Sequence, residues 1–464
     1  MRPVAVIGAG FSGTMSAIQL LARLEPERRV LLCERAGTFG RGRAYATGNP
    51  DHLLNVRAAN MSAYPDRPEH FSEWLAATAF DGAEAAGIRV TPGGTFAARG
   101  LYGRYLTELL TRAVTGGDGP PRLDLVNDAV TDLEPVPGGY TLRTEGGASY
   151  PIAGAVLAMG NLGSPEAPRS RHQADPWSPG SFGRLHPDRT VLIVGTGLTM
   201  VDAVAALRRH GFSGRIVALS RRGLLPSAHA PARPWPMPDL AGVTTLPALV
   251  ARIRDEIVRA EAGGSGWRGV IDALRPVTDA LWRDLPAPER ARFLRHLRPF
   301  WDVHRHRTAP PAAEAIADEI ARGTLVVRAG RIRSVADTAD AAVVTLRPRG
   351  SAGDERLPVQ CILDATGIGR VAETDDPFIR RLMGRGLVRP GPFGIGLDAA
   401  PDLRALTPGA LGPAEAAPLW VVGPLLRGVL WECTAVPDIR NQAAGLAGAV
   451  AQALSGTDRG AIPD

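Results

Sequence analysis

The sequence predicts an α/β protein of two domains built on one plan, and three observations carry that prediction. Two short apolar runs each open onto a glycine-containing turn at the head of a helix-like stretch. Each unit closes much later in an apolar strand that ends in a small residue and a glycine. The spans from turn to closure are similar, 152 residues from Gly8 to Gly160 and 172 from Gly195 to Gly367.

In chain order, Val4 to Ile7 read as a buried strand, Gly8-Ala-Gly-Phe-Ser-Gly13 as the turn, the stretch through Leu24 as a helix, and the run ending Leu31, Leu32, Cys33 and Glu34 as the next strand. A meander begins at Val130 and closes at Ala158, Met159 and Gly160. Pro165, Pro168, Pro176, Pro179 and Pro187 then fall in a stretch without periodicity, which reads as a linker. The second unit repeats the order: Val191 to Val194, the turn Gly195-Thr-Gly-Leu-Thr-Met200, a helix through Arg209, and Ile216 to Leu219. Leu246, Leu249, Val250, Ile253 and Ile257 recur at helical spacing, so a helical insertion is expected at about residues 245–322. A second meander runs from Leu325 through Val343 and Leu346 to the closing strand Cys361 to Asp364, Ala365, Thr366 and Gly367. About a hundred residues follow without a third glycine turn, so the chain should return to its first domain. The expected division is 1–165, 188–368 with the insertion, and 369–464.

The 464 residues are 45% hydrophobic and 22% charged, the balance of an enzyme-sized globular chain and not of a disordered or membrane-spanning one. Every one of the 53 basic residues is arginine, which excludes Schiff-base chemistry and a P-loop lysine. The net charge of +6 is spread along the chain with no basic block, so it favours small anionic ligands over nucleic acid. Cys33, Cys361 and Cys433 are too scattered for a disulfide framework, a redox dithiol or a metal site. No apolar run is long enough to span a membrane. The apolar start after Arg2 carries a glycine pattern that a signal peptide would not need, so the expected location is the cytoplasm.

A GxGxxG turn between strand and helix lets backbone approach a pyrophosphate, which sits at the positive end of the helix dipole. Gly8, Gly10 and Gly13 have that context, and Glu34 at the end of the next strand can accept ribose hydroxyls, which points to FAD or NAD. The second turn has Gly195 and Gly197, but Met200 stands at the third position, so its helix should lie further from the sheet. Arg221 follows Gly195 by 26 residues, as Glu34 follows Gly8, and Arg222 is beside it. A carboxylate there repels a 2′-phosphate and an arginine can chelate one, so NADPH is expected in the second domain. Both domains are thus predicted to be Rossmann-like.

The two-dinucleotide plan resembles the flavin-dependent oxidoreductases of glutathione-reductase type. Within that group, Gly40-Arg-Gly-Arg-Ala-Tyr45, His52-Leu-Leu-Asn-Val56 and Asn60-Met-Ser62 look like the family of FAD-dependent urate hydroxylase and aspartate N-monooxygenase. Gly195 to Asp202, Ser220 to Pro226, Trp301 to Arg307, Gly423 to Gly428 and Trp431 to Ala435 extend the resemblance over most of the chain. It implies FAD in the first site, NADPH as hydride donor, and a closing segment from Gly423 that covers the flavin. FAD contacts are expected from Gly8, Gly10, Phe11, Ser12, Gly13, Glu34, Arg35, Gly42, Tyr45, His52, Asn55, Val56, Met61, Val130, Gly160, Gly423 and Thr434. NADPH contacts are expected from Gly195, Thr196, Gly197, Leu198, Thr199, Asp202, Arg221 and Arg222. Arg57 departs from the family pattern, standing where proline is expected, and should alter a turn or add positive charge near the flavin.

The flavin itself carries the chemistry in such enzymes, so no catalytic side chain is assigned. Arg57, His304, Arg305, His306, Arg307 and Arg427 are the candidate substrate residues, because arginines in a dry cavity need anionic partners. A solvated helix end is the competing account of residues 304–307. Trp431 reads as packing, and Glu432 as a partner for Arg440. The expected activity is an FAD-dependent, NADPH-consuming monooxygenase that takes dioxygen and a small anionic substrate, leaning to N-hydroxylation of an acidic amino acid. Urate hydroxylation is the alternative, disfavoured because only 5% of residues are aromatic. An FAD-containing NAD(P)H reductase serving a protein partner, or a flavin-binding sensor without turnover, remain as other classes.

Overall fold

The computed structural model describes the chain apart from residues 117–119, 163–169, 179, 181, 183–184, 368, 410–416 and 458–464. The strands, in chain order, are β1 (Val4–Ile7), β2 (Val30–Cys33), β3 (Ile88–Thr91), β4 (Gly94–Ala97), β5 (Leu123–Val126), β6 (Val130–Val136), β7 (Gly139–Thr144), β8 (Ser149–Ile152), β9 (Gly154–Leu157), β10 (Gln173–Ala174), β11 (Val191–Val194), β12 (Ile216–Ser220), β13 (Leu325–Asp337), β14 (Ala342–Pro348), β15 (Glu355–Val359), β16 (Cys361–Asp364) and β17 (Leu419–Val421).

Among the described residues the first sheet runs β17-β9-β1-β2-β5, all parallel. Its strands β1, β2 and β9 are apolar and buried at every position, as strands covered on both faces must be. The meander β6-β7-β8 forms a separate antiparallel sheet and hands the chain to β9. The second sheet runs β10-β16-β11-β12-β13-β14-β15, with the long strand β13 parallel to β12 and antiparallel to β14. In both sheets the first strand lies between the strand after its helix and the closing strand, so the two units share one topology.

After β16 the chain adds β17 to the edge of the first sheet and ends in the helix Val436–Thr457, which packs on the helix Phe11–Leu21. Ala443, Leu446 and Ala447 from that last helix share one buried cluster with Ala17 and Leu20. Between β12 and β13 stand the helices Leu246–Ala262, Gly266–Leu274, Thr278–Asp284, Ala287–Arg292, Arg298–Arg305 and Pro310–Ala321, with a π-helical turn at Phe293–Leu297. Trp282 and Phe293 of this region pack against Trp431 of the closing segment.

The proline-rich stretch read as a linker is more ordered than its composition suggests: Gln173 and Ala174 pair with Ile362 and Leu363 as an edge strand of the second sheet. Its prolines Pro165, Pro168 and Pro179, and the expected domain edges at 165 and 368, lie outside the described residues. No described helix is long and apolar enough to cross a membrane, and no group of metal-ligating side chains forms among the described residues.

Candidate functional site

The first turn is fixed by contacts that leave no room for side chains. Gly8 has φ of +100°, donates its amide to the Cys33 carbonyl at 2.9 Å, and a Cβ on it would lie 2.6 Å from the Ala158 carbonyl oxygen. A Cβ on Gly13 would collide with the Gly8 carbonyl oxygen, so the helix Phe11–Leu21 sits directly on the strand that precedes it. Gly10 differs: its Cβ would meet only the Gly42 Cα, at an ordinary 3.5 Å. The Glu34 carboxylate accepts from the Ala9 amide at 2.9 Å and from the Ala36 amide at 3.0 Å, and so stands at the mouth of the turn.

Two distant segments close around this helix end. Gly40 donates to the Ala9 carbonyl at 2.9 Å, and Gly42, at φ of +54°, passes so near that a Cβ on it would be 2.8 Å from the Gly10 Cα. Gly423, at φ of +73°, lies against Ser12, where a Cβ would stand 2.5 Å from the hydroxyl, and its amide donates to Gln442 Oε1 at 3.0 Å. The fold thus brings Gly8, Gly10, Phe11, Ser12, Gly13, Glu34, Gly42 and Gly423 to one place, with Gly160 following the closing strand at φ of +69°. Met61 is buried and Val56 packs against the same core, whereas Arg35 is exposed. Tyr45 meets Tyr102 edge-on at 4.8 Å, and burial pushes its hydroxyl up to about 12. Val130 opens β6 beside a register shift, and Thr434 is half-buried ahead of the last helix.

The second turn repeats the frame. Gly195 has φ of +119°, donates to the Leu219 carbonyl at 2.8 Å and would drive a Cβ into the Ala365 carbonyl. Thr196 secures the turn by donating its hydroxyl to the Leu224 carbonyl at 2.6 Å. A Cβ on Gly197 would meet nothing within 4 Å, and Met200 is fully buried, so its side chain fills the space that Gly13 denies in the first domain. Leu198 and Thr199 open the helix that follows, both half-buried.

The arginine pair beyond β12 divides. Arg221 is exposed and makes no hydrogen bond or ion pair among the described residues. Arg222 lies over the Phe300 ring at 4.9 Å and donates to the His296 carbonyl at 3.2 Å, which ties it to the insertion. Of the two, Arg221 is the side chain without a partner among the described residues. Asp202 pairs at 3.2 Å with Arg99 of the first domain. His52 is likewise taken up between the domains: its Nδ1 meets Thr47 Oγ1 at 2.8 Å and its Nε2 donates to the Asp202 carbonyl at 3.0 Å. Burial lowers its pKa, consistent with a neutral ring that accepts at one nitrogen and donates at the other. Asn55 gives its carbonyl to His229 Nε2 at 2.9 Å, another link across the two domains. No local pattern announces these links, because each joins residues more than a hundred positions apart.

The candidate substrate residues separate by charge balance. Arg305 is held by Glu432 in a two-pronged pair at 3.1 and 2.8 Å, and Arg307 by Asp272 at 2.9 and 3.1 Å. Each of these two guanidinium groups thus has a carboxylate partner within the chain. The first pairing corrects the partner of Glu432, for Arg440 instead donates to the Ser62 carbonyl at 2.9 Å. His304 bonds back to the Phe300 carbonyl at 2.7 Å and stands edge-on to Trp267, as a helix end would. Burial, and after it the charges of Arg305, Arg427, Arg275 and Arg298, push the His306 imidazole down to about 3. Arg57 donates to the Gly93 carbonyl and, at 3.3 Å, to the Ala230 carbonyl, so it staples the β3-β4 hairpin to a loop of the second domain.

Arg427 is the exception. It is 8% exposed, lies 4.7 Å from the Trp431 ring centroid, and its nearest carboxylate is Asp302 at 3.9 Å. Its guanidinium makes no hydrogen bond among the described residues, and Asp302 Oδ1, the oxygen of this long ion pair, and the neighbouring Trp301 Nε1 are buried without hydrogen bonds. Burial and the nearby Arg298 lower its pKa. The insertion holds this segment from the other side, Trp282 Nε1 donating to the Gly428 carbonyl at 2.8 Å and Asp279 accepting from the Trp431 and Glu432 amides at 2.7 and 2.8 Å. Asp272, Asp279, Trp282 and Arg99 were not legible in the sequence, since nothing in their local sequence sets them apart, and Asp302 lay within the Trp301–Arg307 segment without being singled out.

Residues 5–162 match the FAD-NAD(P)-binding family, and the chain as a whole has the fold of two Rossmann-like dinucleotide-binding domains. The whole-chain fold is similar to the ornithine N-hydroxylase of Kutzneria sp. 744, at 13% identity over all of both chains with a TM-score of 0.62. It is similar to L-lysine 6-monooxygenase from Pseudomonas syringae, at 17% identity over 98% of this chain and 100% of that one, with a TM-score of 0.62. Thioredoxin reductase from Lactococcus lactis also shares the fold, at 12% identity over 99% and 100% of the chains, with a TM-score of 0.53. No curated protein sequence matches the chain.

Proposed function

We propose that the chain is an FAD-dependent, NADPH-consuming monooxygenase that N-hydroxylates a small anionic amine, an acidic amino acid. The dinucleotide part of this reading rests on the fit of both turns. Gly8 and Gly13 bring backbone and helix end together, Gly10 leaves the approach open, and Glu34 stands where ribose hydroxyls would lie. In the second domain the cradle at Gly197 is open and Arg221 is unpaired among the described residues, the arrangement that suits a 2′-phosphate. The division of labour follows the same lines, residues 1–165 and 369–464 serving FAD and 188–368 serving NADPH. FAD, once reduced by NADPH, supplies the reaction with dioxygen, and the chain supplies position and charge.

Disulfide reduction is disfavoured although a thioredoxin reductase shares the fold. Cys33, Cys361 and Cys433 are free and buried, and burial raises all three thiols, Cys33 to about 12 and Cys361 to about 11.

Arg427 is the observation that carries the substrate class. A buried guanidinium without a hydrogen bond is costly unless an anion completes it. A substrate carboxylate bound there would leave its amine free to point toward the flavin. An ornithine N-hydroxylase and an L-lysine 6-monooxygenase share the fold, and N-hydroxylation by the first agrees with attack on nitrogen.

The test is oxygen-dependent NADPH oxidation by the yellow holoprotein with aspartate, glutamate, ornithine, lysine and urate, with mass spectrometry of the products. The expected result is a product one oxygen heavier from an acidic amino acid. Turnover of only cationic substrates overturns the anionic class, and oxygenated urate overturns attack on an amine. Dependence on an added electron-acceptor protein makes the chain a reductase instead.

A further inference from the structure

One helix of the second domain carries a dense set of ties to the first. Leu198–Arg209 begins at the Gly197 cradle, and within it Asp202 pairs with Arg99 at 3.2 Å while Arg209 pairs with Asp51 at 3.2 Å. The His52 ring donates to the Asp202 carbonyl, and the Arg99 amide donates to the His52 carbonyl at 2.7 Å, so His52 and Arg99 form one unit facing the helix. Trp177 closes the cluster, edge-on to His52 at 6.0 Å and 5.9 Å from the Arg99 guanidinium. Side-chain exposure is 12% for Arg99 and 9% for Asp202, and Arg99 Nε and Asp202 Oδ2 are buried without hydrogen bonds.

A buried ion pair is a poor device for stability alone. An apolar pair of similar volume is often as stable, whereas losing one partner strands a charge. What a buried charge pair can add is specificity of placement, because any arrangement that separates the two strands both charges. Here the elements are the helix whose N-terminus would receive the nucleotide and the helix Arg99–Thr115, which lies against the 40–45 segment that closes over the first turn. A slip between them would displace the nicotinamide relative to the flavin.

We propose that Arg99 and Asp202 are positioning residues, a pair that sets the nucleotide-bearing helix against the flavin-binding domain for hydride transfer. In that step NADPH gives up two electrons and a proton as hydride to become NADP+, and the flavin is reduced. The proposal rests on the reading of FAD in the first domain and NADPH in the second.

The experiment follows flavin bleaching without oxygen in stopped flow, across NADPH concentrations, for wild type, Arg99→Met, Arg99→Lys and Arg99→Met/Asp202→Leu. Displacement of reacting atoms by about 1 Å can cost on the order of 100-fold, so the double variant should bleach roughly 10- to 100-fold more slowly at saturating NADPH. It should keep its FAD and a melting temperature near that of wild type, and Arg99→Lys should recover much of the rate. A double variant that is stable and bleaches at the wild-type rate overturns the proposal. Small-angle scattering of the same holoproteins reads the placement of the domains without turnover: the double variant should scatter as a broader distribution, and identical curves count against the pair. If NADPH fails to bleach the wild type, the cofactor reading falls, and scattering alone decides the role of the pair.

Discussion

The two glycine turns share a frame and differ in what fills it. In both, the first glycine has a positive φ, donates to the end of the neighbouring strand, and lies too close to the closing strand for any Cβ. In the first turn the helix then seats itself on the Gly8 carbonyl, which Gly13 alone permits. In the second, Met200 is buried at the matching position and the cradle at Gly197 is open. The first turn is also roofed by Gly42 and Gly423, whereas Arg221 beyond the second stands in solvent. The first turn is thus the more enclosed of the two, which supports the proposal of a resident flavin there and a diffusing nicotinamide nucleotide at the second.

The largest effect that could break this comparison is expected at Gly13. Gly13→Val forces a side chain into the Gly8 carbonyl and should abolish the folded first domain, seen as loss of flavin and of a cooperative melt. Met200→Ala, at the matching position, only empties buried space and should cost about 2–5 kcal/mol with flavin retained. Gly10→Val should come next: the position has ordinary clearance in the chain itself, so the variant should fold but lose flavin absorbance per chain. A fully flavinated, folded Gly10→Val protein would contradict the placement of the pyrophosphate.

A smaller effect is expected at Arg221. A hydrogen bond to a charged group contributes about 1.5–3 kcal/mol, so Arg221→Gln should lower NADPH kcat/KM by roughly 10- to 100-fold and leave NADH nearly unchanged. Equal use of NADH and NADPH by the unmodified protein would remove the contrast between Arg221 and Glu34.

The smallest effect separates the helices that follow the turns. The first is covered by apolar packing from the last helix, the second by apolar packing from the helix Pro310–Ala321 with an ion pair added, Arg208 with Glu319 at 2.6 Å. Burial raises the Glu319 pKa, but hydrogen bonds from Arg208, Thr324 and Arg322 outweigh it and bring it from 4.5 down to about 2. The folded state holds the ionised form, so this stabilisation is complete above about 4.5 and is lost as the pH falls toward 2. Thermal melts of Glu319→Gln should therefore depend less on pH across that window than wild type, and an unchanged slope would remove Glu319 as its source.

The sequence by itself determined the repeated unit, because strand, glycine turn, helix and strand are local patterns set by burial and by the conformations that only glycine reaches. It determined the contrast between Glu34 and Arg221 in the same way, by one offset along the chain. It did not determine the fate of the arginines. Arg305, Arg307 and Arg427 are alike as letters, yet the fold gives the first two a carboxylate each and leaves the third without a hydrogen bond among the described residues. Only the tertiary structure could decide this, since the energy of a buried charge depends on what stands beside it, and Glu432 is 127 residues from Arg305. For the same reason no local pattern records that His52, Asp202 and Arg99 meet, since they come together across a long chain separation.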